Sequence, residues 1–158
     1  MKSMILAAFA VFSLATSAVA GDVRSHGLTV SNAWSRPTPP GAPTAAGYLT
    51  ITNQSSAPDR LLRAETQAAA SLTLHSMSNA GGVMRMRALP DGLTIPPHGS
   101  VRLDPQGDHL MFEGLTAPLK AGDRVPAVLH FEHAGAVKIR FEVGDAPKAD
   151  PMAGMAMH

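Results

Sequence analysis

The chain of 158 residues contains no cysteine, so no disulfide can staple it and no thiolate can hold a metal. Aromatic residues make up only 4% of it, and no aromatic-plus-basic stripe or Lys/Arg run appears, which argues against a nucleic acid or an anionic membrane surface as partner. Charge of one sign is lacking as well: 13 basic residues face 12 acidic ones, and the one basic residue of the first segment, Lys2, has no acidic counterpart there. An ion, a small molecule or another protein is left as the partner. Long hydrophobic runs are missing except at the start, where Met1-Lys2 precedes an almost wholly apolar stretch from Met4 to Ala18. That run is short for a membrane span, and Ala18-Val19-Ala20 fits the small-x-small pattern of a signal-peptidase site. Residues 1–20 are therefore expected to be a signal peptide and the mature protein to begin at Gly21, to enter the periplasm and to have no membrane insertion.

The remainder has the size of one domain. Apolar stretches of five to nine residues alternate with connections rich in the chain's 14 glycines and 13 prolines. Strands are expected at Gly27–Trp34, Ala46–Asn53, Asp59–Glu65, Ser71–Met77, Gly82–Ala88, Ser100–Asp104, Asp108–Phe112, Val125–His133 and Ala136–Val143. No convincing helix is visible, although Ala64 to Ala70 is Ala-rich enough for a helical turn. Many short strands in one domain predict an all-β antiparallel sandwich or Greek-key barrel over residues 21–146, followed by a flexible Met/His-rich tail at 147–158.

Methionine is what this sequence does have in an unusual place. Beyond Met1 and Met4 the remaining methionines fall at Met77, Met84, Met86, Met111, Met152, Met155 and Met157, with none between Gly21 and Ser76. A residue used only to fill core gaps would be scattered among Leu and Val; here it keeps company with histidine. Strand alternation explains how. Leu72 and Leu74 share one face while Thr73, His75 and Met77 share the other, and Leu110 and Phe112 oppose His109 and Met111 in the same way. Met84 and Met86 form a third pair, with Met84 a candidate for simple core packing at the start of its strand.

Thioether sulfur and neutral imidazole suit copper(I), whereas zinc prefers thiolate, imidazole or carboxylate, and calcium and magnesium need oxygen. Such ligands stay neutral and leave the ion's charge uncompensated, so an exchangeable site at the solvent edge is expected, suited to a carrier. No Gly-x-Ser-x-Gly elbow, His-Glu-x-x-His or phosphate loop is present, and the carboxylates close in sequence to the His109-x-Met111 pair are Asp108 and Glu113. The protein is not expected to be an enzyme. A copper buffer without a dedicated recipient would need the same ligands as a carrier.

The segment from His75-Ser76-Met77 through Gly82-Val83-Met84-Arg85-Met86-Arg87 to His109-Leu110-Met111 resembles the periplasmic copper chaperone family called PCuAC. That family's motif is a histidine, then a methionine, then His-x-Met; here the two gaps are 10 and 22 residues, the second one residue longer than the family's and expected to be absorbed in the turn Leu89-Pro90-Asp91-Gly92. Ala33-Trp34-Ser35-Arg36-Pro37, Ala46-Gly47-Tyr48-Leu49, Asn53 and Phe131-Glu132-His133-Ala134-Gly135 extend the resemblance over roughly Leu28 to Val143. It implies a cupredoxin-like Greek-key fold, copper(I) held by His75, Met86, His109 and Met111, and delivery to the CuA centre of cytochrome c oxidase subunit II alongside Sco-type proteins, by a monomer. Met77 and Met84 are neighbours able to substitute for Met86. Met152, Met155, Met157 and His158 are candidates for a second site, where His158 and the terminal carboxylate would also suit copper(II). His26, His98, His130 and His133 are expected to be structural or solvated, the last two on opposite faces of one strand.

Overall fold

A computed structural model of the chain describes residues 22–146, so the expected signal peptide and tail lie outside the described residues. Among these residues there is no helix. The strands are β1 (Val23–Ser25), β2 (Leu28–Ser35), β3 (Thr44–Asn53), β4 (Asp59–Thr66), β5 (Ala69–Ala80), β6 (Val83–Ala88), β7 (Leu93–Ile95), β8 (Ser100–Leu103), β9 (His109–Leu115), β10 (Arg124–Phe131) and β11 (Gly135–Val143). They pair in the order β1-β2-β11-β10-β4-β5-β9-β3-β8, and an additional β2–β3 pairing closes the wall into a barrel. Closure removes the edges of the seven strands that form the ring. Four strands stay off this circuit: β1 pairs with β2, β8 with β3, β7 with β4, and β6 with β5.

The expected period-two pattern holds where the wall is closed. Along β11 the buried residues are Val137, Ile139, Phe141 and Val143, with exposed residues between them, and Leu72, Leu74, Leu110 and Phe112 all point into the barrel. Phe112 and Phe141 meet edge to face at 5.4 Å and 75°, and a Cβ on Gly47 would stand only 2.9 Å from Phe141, so glycine is required where the two rings fill the barrel. Each such fully buried apolar side chain contributes about 1.5–3 kcal/mol.

Three expectations are corrected, and two short strands are added. Ala64–Ala70 is not a helical turn: Ala64 lies in β4 opposite Leu72 and Leu129, a short bend follows, and β5 begins at Ala69. Pairing on both sides overrides the intrinsic preference of alanine for helix, as tertiary context often does. His133 does not share a strand with His130, because β10 ends at Phe131 and His133 sits in the turn to β11. That turn is anchored by the buried Asp59, whose carboxylate accepts from the backbone N–H of His133 at 2.9 Å and of Ala134 at 3.0 Å. The strands β1 and β7, each of three residues, were too short for a pattern to reveal. Met84, finally, is not in the core; it is 51% exposed, because β6 pairs with β5 alone and lies over no second layer.

Candidate metal centre

Three neighbouring strands, β6, β5 and β9, carry the His/Met cluster, and their register fixes who meets whom. His75 stands directly opposite His109, Thr73 opposite Met111, and Ser71 opposite Glu113. On the other edge of β5, Met77 pairs with Met86, His75 with Ala88 and Asn79 with Met84. Directly paired residues project to one side of a sheet, so His75, His109, Met77, Met86, Met84, Met111 and Thr73 share the face turned away from the core. The alternation read from the sequence thus assigned the faces correctly. That His75 and His109 form the central cross-strand pair could not be read from it, since pairing of β5 with β9 is a property of the topology.

The two imidazoles lie 5.8 Å apart between ring centroids, tilted by 43°. Metal–imidazole bonds are about 2 Å long, so one ion between the rings can be reached by a nitrogen of each. Around this pair the thioethers are not equivalent. Met77 and Met111 each follow one of the histidines by two residues, about 6.6 Å along the strand, and lie diagonally across from the other. Met86 is diagonal to His75 but one strand further from His109. The register brings His75, His109, Met111 and Met77 together, and leaves Met86 to reach in from the side.

Burial divides the same residues. His109 is only 5% exposed, although it points away from the core, whereas Met86 is 50% exposed. The expectation of a solvent-edge site therefore holds for the methionine side and fails for His109. On the same side of the wall, β2 and β3 place two buried aromatic rings. Asn32, with a left-handed φ of 52°, allows β2 to bulge between Ser31 and Trp34. The bulge shifts Trp34 from the face of Leu28 and Val30 to the opposite one, opposite Tyr48, with the two rings tilted by 44° at 4.8 Å between centroids. Tyr48 lies one register step beyond the Gly47–Leu110 pair, on the His109 side of the wall. Both rings are buried, and the Arg36 guanidinium sits 6.0 Å from the Trp34 ring centroid. Burial pushes the Tyr48 phenol above its ordinary value, Asp104 adds to the shift, and Arg36 opposes it.

The hydrogen bonds of the histidines complete the centre. His109 Nδ1 is 3.2 Å from the Gly107 carbonyl oxygen, and His75 Nε2 is 3.0 Å from Thr73 Oγ1. His75 Nδ1 is the one buried side-chain nitrogen or oxygen among the described residues with no hydrogen-bond partner. A buried polar atom without a partner is costly, which makes this nitrogen a candidate ligand atom rather than a packing detail. A soft cation facing two imidazole nitrogens and flanking thioethers fits the donor set that these residues offer. Of the other histidines, His26 and His98 occupy turns with positive φ, and His130 Nε2 contacts Glu65 Oε2 at 3.1 Å; none joins the cluster. Met152, Met155, Met157 and His158 lie outside the described residues.

A closed Greek-key barrel with a His/Met cluster on its outer wall defines a class of soft-metal-binding domain. The chain belongs to the family described as "Putative lipoprotein LpqE-like", whose model matches residues 28–143. It is 31% identical to the "Putative lipoprotein Lxx21020" of Leifsonia xyli subsp. xyli over 132 residues, 84% of this chain and 78% of that protein. Among solved structures, the copper-bound PCuAC domain from PmoF2 superposes with a TM-score of 0.66 at 24% identity, covering 80% of this chain and 99% of that one. The copper(I) form of DR1885 from Deinococcus radiodurans gives a TM-score of 0.59 at 34% identity, covering 72% and 75%. The fold is thus that of the PCuAC domains, as the sequence resemblance implied.

Proposed function

We propose that this protein is an exported copper(I) chaperone that takes up the ion between His75 and His109, completes the site with Met111 and a thioether from the β5–β6 side, Met86 or its partner Met77, and passes it on to a copper enzyme. One observation carries the reading: two histidines paired directly across adjacent strands, one of them with a buried nitrogen lacking any partner, with methionine sulfur on both flanks. The likeness to copper-bound relatives supports it. Neutral, soft ligands bind copper(I) without losing protons and yield it to sites that contain thiolates, which suits transport better than catalysis.

The recipient we infer is the CuA centre of cytochrome c oxidase, reached in the periplasm with Sco-type proteins as co-workers and with the chaperone acting as a monomer. Stopped-flow mixing of the copper(I)-loaded protein with an apo CuA domain tests this. Metal should move faster than the protein loses it spontaneously to a chelator. Equal rates would reduce the role to a copper buffer without a dedicated recipient.

A further inference from the structure

The proton positions on the two imidazoles can be assigned from their partners, and they come out opposite. A carbonyl oxygen only accepts, so His109 Nδ1 carries its proton toward Gly107 at 3.2 Å and leaves Nε2 with a lone pair. For His75 the assignment runs through two further residues. The Thr73 hydroxyl has a single proton and donates it to Glu113 Oε2 at 3.0 Å. Ser71 Oγ donates to the same oxygen at 3.2 Å, from the position directly opposite Glu113. With its proton committed to a carboxylate, Thr73 Oγ1 can only accept from His75 Nε2, 3.0 Å away. His75 is therefore protonated at Nε2, and its lone pair lies on Nδ1, the same buried atom that has no partner.

We propose that Glu113 and Thr73 form a relay that fixes His75 in the Nε2–H tautomer, so that Nδ1 of His75 and Nε2 of His109 are the two nitrogens presented to copper(I). A hydrogen-bonded ladder between strands would need none of this; it would not leave a buried nitrogen empty beside a second imidazole. The relay also brings a negative charge to the far side of His75. An acceptor behind a ligating imidazole raises its basicity, and Glu113 offsets the charge of an ion whose ligands are all neutral. Glu113 and Thr73 are positioning residues, since neither is placed to touch the ion.

The inference rests on the copper reading above, and its test separates the two. Two-bond proton–nitrogen correlation spectra of the full chain without metal should show His75 protonated at Nε2 and His109 at Nδ1. Thr73→Val keeps the strand but removes the relay: His75 should then populate both tautomers, and copper(I) affinity, measured by chelator competition in a background with Met152, Met155 and Met157 changed to Ile and His158 to Ala, should fall about tenfold to a hundredfold. Thr73→Ser should restore both, and Glu113→Gln should lower affinity in the same direction. A wild-type His75 protonated at Nδ1, or unchanged affinity in Thr73→Val beside a wild type that binds normally, overturns the relay alone. Failure of the wild type to bind copper(I) through His75 and His109 overturns the function, while the metal-free spectra still decide the tautomer.

Discussion

The candidate centre joins two unlike regions: a wall, formed by β5 and β9 inside the closed barrel, and an arm, the outer half of the β5–β6 hairpin. In the wall, every second side chain is locked into the core, and this fixes the residues between them. His75 and His109 are held opposite each other because Leu74 and Leu110, their neighbours, are paired and buried. In the arm, every residue of β6 is exposed, and the turn passes through Gly81 and Gly82, both at positive φ. Val83, Met84 and Met86 are each about half exposed. Exposure of large apolar side chains has a cost that a rigid structural element would avoid. The difference teaches a division of labour: under the proposed function, the wall would present two pre-placed nitrogens and Met111, while the arm would offer thioethers that adapt, as methionine does, to close on an ion or release it.

Breaking the wall should cost most. His109→Ala removes a proposed ligand that the barrel itself positions, and copper(I) affinity should fall more than the roughly hundredfold typical of losing an outer partner, with the fold retained. Chelator competition in the tail-substituted background measures it, and a loss no larger than that of an arm variant would erase the distinction. Breaking the arm should cost less. Met86→Ile should weaken binding by about tenfold, roughly 1.4 kcal/mol, and hydrogen exchange at Val83–Ala88, slowed by copper(I) in the wild type, should no longer respond. If Met77→Ile takes that loss instead and the arm exchanges alike with and without copper, the fourth ligand is Met77, and the centre lies wholly in the wall's own strands.

The smallest effect concerns the Trp34–Tyr48 pair on the His109 side of the wall. Burial holds the Tyr48 phenol above its ordinary value of 10.0, so the folded chain keeps that proton where the unfolded chain gives it up. The stability this contributes is complete below the unfolded value and is lost as pH rises through the folded one. Thermal midpoints of the wild type should therefore decline above pH 10 more steeply than those of Tyr48→Phe. Parallel declines would mean that the phenol reaches water and that the pair does not seal this side of the site.

Much of this was legible without coordinates because it depends on local periodicity. The alternation of Leu72 and Leu74 with His75 and Met77, and of Leu110 and Phe112 with His109 and Met111, places chemistry on one face by the geometry of an extended chain alone. Asp59 was not legible: an acid at the start of a strand looks like any surface charge until the turn at His133 folds onto it. Neither was the position of Trp34, since strict alternation assigns it to the core face with Leu28 and Val30, and one additional residue in a bulge reverses that.

The absence of cysteine and the company that methionine keeps with histidine determined, by sequence alone, that the donors gathered on these strands are thioether and imidazole, a set suited to a soft metal, because ligand softness belongs to the side chains themselves. Only the tertiary structure decided that His75 meets His109, that Glu113 stands behind His75 through Thr73, and that Met77 lies diagonally across from His109 as Met111 does from His75. Those relations depend on which strands become neighbours and in what register, and register is set by the hydrophobic face of the whole barrel rather than by any one segment.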